Sequence, residues 1–454
     1  MLNPEVCQKA RLSRDARFDG TFFVAVKTTG IYCRPICPAT TPKEENILYF
    51  ATAIEAANAG FRPCLRCRPD SAPGSPAWRG VDATLERAVR LIAEGVLQTG
   101  SVQHLAERLG ISDRYLRQLF EKHLGVSPKK FALYQQSLFA KQLLHQTNLP
   151  IIQVALASGF NSVRRFNDSF RRQLGLTPSQ VRRSGQAESG TLALKLYYRP
   201  PYNWPNMQRF FMARFIPHLE WVDTQSYGRT FEWLGSVGHF TAQHVDDKNR
   251  FDVALALDDV THLKSIVHNI RRILDLDVDI AAVDENLQQH YSPLISLKSG
   301  IRLPGTWSMF EAGIRAILGQ QISVVAARNL VTLLVDNLGQ PVGDRRLFPS
   351  PQSIIQSDLG CLKIPSSRKQ TLRNLAQHYI GHDNPNDPQP WLALKGIGPW
   401  TVDYARLRGL SDPDVYLGGD LGVKKAIEKS ARPFNPDLAS PWRSYLTLQL
   451  WNQR

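Results

Sequence analysis

The pattern of apolar positions changes character several times along the 454 residues. Between Val81 and Arg183 it has a helical period and is written twice. Leu105-Ala-Glu-Arg-Leu-Gly-Ile-Ser112 is echoed by Val154-Ala-Leu-Ala-Ser-Gly-Phe-Asn161, and Leu124-Gly-Val-Ser-Pro128 by Leu174-Gly-Leu-Thr-Pro178. Each copy predicts helix, glycine turn, helix, with Gly110 and Gly159 supplying backbone that other residues resist. Ser112 is placed to cap a helix whose Leu116, Leu119 and Phe120 share one face, and Val163, Phe166 and Phe170 make the matching stripe in the second copy. From Leu192 to Tyr198 apolar and other residues alternate like a strand, and from Thr306 onward the pattern is helical again. Two stretches rich in Pro, Gly and Ser read as linkers, Asp70–Trp78 and Ser184–Gly190, with a softer boundary near Ser299.

An apolar fraction of 43% supports packed cores, and a chain of this length holds about three or four domains. The formal charge of +15 favours a polyanion, nucleic acid first. The excess is uneven: residues 1–190 carry 26 Lys+Arg against 15 Asp+Glu, and the remainder 29 against 25. The first part therefore reads as the stronger electrostatic binder. No run of some 18 apolar residues suggests a membrane span, and the first residues lack a signal-peptide pattern. A cytoplasmic, nucleoid-associated protein is expected.

Four of the six cysteines cluster as Cys33-x3-Cys37 and Cys64-x2-Cys67. Two close pairs of thiols suit one tetrahedral Zn²⁺, and on spacing alone a purely structural metal is the commoner use. The surrounding Asp19-Gly-Thr-Phe-Phe-Val-Ala-Val-Lys-Thr-Thr-Gly-Ile-Tyr-Cys-Arg-Pro-Ile-Cys37 and Gly60-Phe-Arg-Pro-Cys-Leu-Arg-Cys-Arg-Pro69 resemble the N-terminal domain of the adaptive-response (Ada) regulators. The resemblance implies that Cys33 takes a methyl group from a methylated DNA phosphate, once per molecule. Arg34, Arg62, Arg66 and Arg68 are candidate phosphate contacts. In the doubled helical unit Arg114, Arg117, Arg164, Arg165 and Arg171 lie off the apolar stripes, where they are either solvated charges or readers of the major groove. This unit resembles the DNA-binding domain of the AraC family, which implies double-stranded promoter DNA and RNA polymerase as partners.

Leu394-Lys-Gly-Ile-Gly-Pro-Trp400 has the spacing of a helix-hairpin-helix turn, in which Gly396 and Gly398 let backbone N–H groups approach a phosphate. Alone, the two glycines also fit an ordinary tight turn. Asp420 follows twenty residues after Trp400 in Val415-Tyr-Leu-Gly-Gly-Asp-Leu-Gly-Val-Lys-Lys425. With Leu303-Pro-Gly-Thr-Trp-Ser-Met-Phe-Glu-Ala-Gly-Ile-Arg-Ala-Ile-Leu-Gly-Gln-Gln-Ile-Ser323, these segments resemble the AlkA-type 3-methyladenine DNA glycosylases. By that resemblance Asp420 is the catalytic carboxylate, Trp400, Tyr404 and Trp451 line the base pocket, and Gln321 stands at the wedge position. Trp400 occupies the site where bifunctional relatives carry a Schiff-base lysine, so a monofunctional hydrolase is implied. The Pro-Cys-His-Arg motif of a second methyl acceptor is missing, and Cys361 stands in Leu-Gly-Cys-Leu-Lys.

A multidomain α+β chain is expected. Residues 1–78 form a small four-cysteine zinc α/β domain and 79–185 an all-α double helix-turn-helix domain. Residues 190–299 form an α/β glycosylase N-terminal domain and 300–454 an all-α helix-hairpin-helix glycosylase domain. The expected function joins methyl transfer from DNA methylphosphotriesters to Cys33, switching on transcription, with hydrolytic excision of alkylated bases such as 3-methyladenine. The alternative is a transcriptional regulator whose last domain only holds DNA.

Overall fold

The computed structural model describes residues 3–15, 18–19, 21–37, 39–64, 67, 69, 83–183, 192–382, 385–428 and 434–453. It divides into two compact units: Met1–Pro200 with Asp247–Arg271 and Leu276–Asp279, and Pro201–Asp246 with Arg272–Asp275 and Ile280–Arg454.

The first unit begins with α1 (Pro4–Leu12), β1 (Phe23–Val26), β2 (Ile31–Cys33), β3 (Ile47–Phe50), α2 (Ala53–Asn58) and β4 (Arg62–Pro63). The strands order as β3-β1-β2-β4, with β2 and β4 parallel and the other pairs antiparallel. All of β1 is buried because both faces of the sheet are covered. Val24 packs with Cys7, Ala10 and Ile47 on one side, Phe23 and Ala25 with Tyr32 and Ala56 on the other.

Next come α3 (Ala83–Ala93), α4 (Val96–Thr99), α5 (Val102–Leu109), α6 (Asp113–Leu124), α7 (Pro128–Gln146), α8 (Ile151–Ala157), α9 (Val163–Leu174) and α10 (Pro178–Arg183). Ser112 caps α6 by accepting from the Tyr115 N–H, and Ser162 caps α9 by accepting from that of Arg165. Leu116, Leu119, Phe120, Phe166 and Phe170 are buried as the periodicity requires, while Val163 is half-buried. Gly159 sits at φ +84°, where an added Cβ would lie 2.6 Å from the Gln98 amide. The long α7 is enclosed on nearly every side, since Tyr134, Gln136, Ser137 and Lys141 are buried along with its apolar residues. Its Tyr134 hydroxyl meets that of Tyr32 and donates to Ala53 O at 3.2 Å, so α7 is the common support of both helix-turn-helix copies and the cysteine domain.

The chain continues as β5 (Leu192–Tyr197), α11 (Trp204–Met212), β6 (Glu220–Val222), β7 (Ser226–Trp233), β8 (Ser236–Val245), β9 (Arg250–Leu257), α12 (Leu263–Ile273) and α13 (Ile280–Tyr291). In the first unit β5 pairs antiparallel with β9; in the second, β6, β7 and β8 form an antiparallel meander. The helical remainder is α14 (Met309–Gly319), α15 (Val324–Leu338), α16 (Pro351–Gln356), α17 (Ser366–Gly381), α18 (Pro399–Ala405), α19 (Leu421–Ile427) and α20 (Arg443–Trp451). Its core gathers Ile314, Leu334, Leu375, Trp391 and Val402. The buried charges Arg229 and Glu311 pair at 2.8 Å, and Arg315 bridges Glu311 to Glu220 at 2.8 Å, tying the meander to α14. No helix of the described residues is long and apolar enough to cross a membrane.

Candidate metal centre and candidate active site

Parallel pairing places Tyr32 beside Pro63, so Cys33 and Cys64 leave the sheet side by side, and Cys64 N donates to Tyr32 O at 2.9 Å. A turn closed by Cys37 N donating to Arg34 O at 3.1 Å returns Cys37 to the same spot. The Sγ atoms of Cys33, Cys37, Cys64 and Cys67 lie within 4.8 Å of one another. Four thiols that close match the tetrahedral all-sulfur set that Zn²⁺ takes, with Zn–S bonds of about 2.3 Å. Cys64 and Cys67 are buried, whereas Cys33 and Cys37 are half-exposed and form the accessible side of the cluster.

Arg34 departs from the sequence expectation. It is 6% exposed, its guanidinium is paired with Asp19 and donates to Cys67 O at 3.2 Å, and its backbone N–H donates to Cys67 Sγ at 3.3 Å. With its donors taken inside the domain, it braces the cysteine loops and does not present itself to a phosphate. Lys141 of α7 is also buried and donates to Cys64 O at 3.3 Å. Arg62 is half-buried, and its Cδ lies 3.8 Å from where a Cβ on Gly175, the cap of α9, would stand. Arg66 and Arg68 lie outside the described residues. Arg114, Arg117, Arg164, Arg165 and Arg171 are all exposed on α6 and α9, with Arg117 held by Asp113 at 3.0 Å.

In the second unit a 3₁₀ turn, Gln389–Ala393, leads through Gly396 into α18, the arrangement expected of a helical hairpin. Gly396 has φ +90°, and a Cβ there would sit 2.1 Å from Thr371 Oγ1. Gly398 caps α18 and faces open space, leaving the backbone approachable. Trp400 and Tyr404, one turn apart on α18, bring their rings to 5.3 Å. A π-helical turn, Arg406–Leu410, then bends the chain and points Arg408 back, so that its Nη1 donates to the Tyr404 hydroxyl at 2.9 Å.

Asp420 caps α19. Its Oδ1 accepts from the N–H groups of Gly422 at 2.8 Å and Val423 at 3.3 Å and from Trp451 Nε1 at 3.0 Å; its Oδ2 accepts from Trp400 Nε1 at 3.3 Å. The positive end of a helix and two indoles thus hold one carboxylate. Asp420, Trp400, Tyr404 and Trp451 line a single cavity of about 1470 Å³. Phe210 of α11 stacks on Trp451 at 6.1 Å, and the guanidinium groups of Arg214 and Arg408 lie over its ring at 3.8 and 4.7 Å. Burial would raise the Tyr404 pKa, but Arg408, Arg214 and Arg315 outweigh it and bring the phenol below its ordinary value.

Gln321 is exposed at the cavity mouth with φ +59°, a left-handed backbone at a non-glycine residue. The turn that carries it is pinned by Gln320 Nε2, which donates to Gly396 O and Thr401 Oγ1 at 3.0 Å each. Arg408 and Phe210 escaped the sequence reading. The i, i+4 spacing from Tyr404 was a signal for the first, whereas nothing local links Phe210 to Asp420.

A four-thiol metal site, a doubled helix-turn-helix and a hairpin-flanked cleft in one chain define a zinc-binding, DNA-directed multidomain protein. Comparison with known proteins narrows the class. Residues 6–70 match the family model for the metal binding domain of Ada, 105–184 a helix-turn-helix domain and 193–308 the AlkA N-terminal domain. The chain is 37% identical over 476 residues to the Mycobacterium tuberculosis (strain ATCC 25618 / H37Rv) protein named "Probable bifunctional transcriptional activator/DNA repair enzyme AlkA", covering 98% of this chain and 96% of the relative. It is 29% identical over 278 residues to DNA-3-methyladenine glycosylase 2 of Escherichia coli (strain K12), covering 56% of this chain and 95% of that one. To the bifunctional transcriptional activator/DNA repair enzyme Ada of the same strain it is 34% identical over 177 residues, 38% of this chain and 48% of that protein. The chain belongs to the family of bifunctional transcriptional activator/DNA repair enzymes. Its four cysteines are the site of one Zn²⁺.

Proposed function

We propose that this chain repairs and reports DNA alkylation through two separate chemistries on double-stranded DNA. The observation that carries the reading is Asp420, anchored at a helix N-terminus between two indole N–H groups inside an aromatic cavity.

In excision, the C1′–N bond of an alkylated nucleoside breaks with its electron pair leaving on the base. The Asp420 carboxylate stabilises the cationic sugar and orients water, whose hydroxyl bonds to C1′ while its other proton passes to solvent. Trp400, Tyr404 and Trp451 stack on the extruded base, Gln321 fills the gap it leaves, and the Gly396–Gly398 turn holds a phosphate. No lysine stands at Trp400, so the product is the abasic site, released by a monofunctional glycosylase.

In sensing, zinc bound by the four thiolates keeps them deprotonated near neutral pH. Cys33 Sγ attacks the methyl carbon of a methylphosphotriester, a carbon–sulfur bond forms, and the carbon–oxygen bond breaks with its electrons returning to the phosphate. The thioether is a poor leaving group, so the transfer happens once per chain. The site loses one negative charge, which favours binding to phosphate. The exposed arginines of α6 and α9, with Arg62 close to the C-terminal cap of α9, then hold promoter DNA for RNA polymerase in the cytoplasm.

The test is release of 3-methyladenine from methylated duplex DNA by the full chain and by Asp420→Asn. Release by the wild type, lower by about 1000-fold or more in the variant, supports the reading. No release by folded wild type refutes excision.

A further inference from the structure

The first strand of the AlkA-type segment, β5, lies in the same compact unit as the cysteine domain and packs on the helix that supports it. From α7, Gln146 Oε1 accepts the Lys195 N–H at 2.7 Å, and Gln142 Nε2 donates to the Lys195 carbonyl at 3.4 Å. The strand so held delivers Tyr197 and Arg199 to the brace of the cysteine centre.

Groups of alternating charge run from there to the metal site. Arg199 is 1% exposed; it pairs with Asp279 at 2.8 Å, and its Nε donates to the backbone carbonyl of Asp19 at 2.6 Å. The Asp19 carboxylate takes the Arg34 guanidinium in a fork, with Nε donating at 2.7 Å. Arg34 reaches Cys67 through both its side chain and its backbone N–H, and its Cζ lies 5.5 Å from the centre of the Tyr197 ring. As a stabiliser, a buried ion-pair chain does no better than well-packed apolar residues. What it fixes is geometry, and this one ends on a metal ligand.

We propose that Arg199 and Tyr197, although they belong to the AlkA-type segment, are positioning residues of the cysteine centre. Through Asp19 and Arg34 they hold the Cys67 loop, so that zinc stays bound while Cys33, on the accessible side, takes the methyl group. This rests on the sensing reading above. Partners behind a metal ligand orient it, and losing one costs about 10- to 100-fold in metal affinity or activity. The dependence is on where β5 sits and not on excision, since neither residue lines the cavity around Asp420.

The experiment uses the zinc-loaded full chain, the double variant Arg199→Met/Asp279→Asn, which strands neither charge, and Tyr197→Leu. Melting curves and release of 3-methyladenine check their folding. The readings are the half-time of zinc loss to a chelator, the absorption bands of the Co²⁺-substituted chain, and the rate of methyl transfer to Cys33 from a duplex bearing a methylphosphotriester. In the double variant zinc loss is expected to quicken and methyl transfer to slow, each about 10- to 100-fold, with shifted Co²⁺ bands and excision retained. Tyr197→Leu moves the same readings in the same directions by a smaller factor. Unchanged zinc loss and methyl transfer in the folded variants overturn the proposal. So does faster zinc loss at an unchanged methylation rate, which leaves Arg199 a structural brace alone, and so does excision that falls in step, the mark of general unfolding. If the wild type holds zinc but places no methyl group on Cys33, the sensing reading itself falls and this inference with it.

Discussion

Arg34 shows how far a single residue's role depends on a partner that sequence does not announce. In Cys-Arg-Pro-Ile-Cys it looks like a surface cation, because arginines usually are. Asp19, at the start of the same motif, turns it inward, with side-chain exposures of 7% and 5% for the pair. Removing one member of such a buried pair leaves the other uncompensated. Asp19→Ala is therefore expected to lower the stability of the zinc domain by about 3–5 kcal/mol and to hasten loss of zinc to a chelator. The double variant Asp19→Ala/Arg34→Met recovers part of the loss, because no charge is then stranded. Chelator competition and urea melting of the zinc-loaded protein measure both. Asp420 is the opposite case. It caps the helix that follows it, a place a carboxylate takes for structural reasons alone, and the catalytic role proposed for it comes from the resemblance.

Elements with a one-sided apolar pattern were legible in advance. Leu116, Leu119 and Phe120 are buried, Arg114 and Arg117 are exposed, and Ser112 caps the helix, all from spacing. The strand expected at Leu192–Tyr198 is β5, Leu192–Tyr197. By contrast α7 has no dominant polar face, because it packs against both helix-turn-helix copies and the cysteine domain, and its central role was invisible. The cavity wall contributed by α11 was hidden for another reason: Phe210 reaches Trp451 through tertiary packing alone. The hairpin turn carries the prediction at this scale. Gly396 combines positive φ with contact against Thr371 Oγ1, whose hydroxyl also donates to Lys395 O at 3.1 Å. Gly396→Ala is expected to cost about 1–3 kcal/mol and shift the turn that carries Gly398, weakening DNA binding. Gly398→Ala, in open space, should cost less than 1 kcal/mol or so. Thermal melting and duplex-binding titrations of the pair separate the two.

At the scale of the whole molecule, the cysteine centre and the doubled helix-turn-helix lie in one compact unit, and every residue lining the cavity around Asp420 lies in the other. The uneven charge of the sequence has the same sense, with most of the basic excess before residue 190. The compact units do not follow the linear order of the chain, because β5 and β9 join the first while β6, β7 and β8 belong to the second. A linear reading of composition and linkers has no access to such a division. With the cysteine centre in one unit and the cavity in the other, each of the two proposed chemistries is expected to survive removal of the other.

The most direct measurement incubates the full chain and Asp420→Asn with methylated duplex DNA, then maps methylated peptides and assays released bases from the same reaction. The account predicts a methyl group on Cys33 in both proteins and free 3-methyladenine from the wild type alone. Base release that persists in Asp420→Asn, or a methyl group carried elsewhere than Cys33, would contradict it.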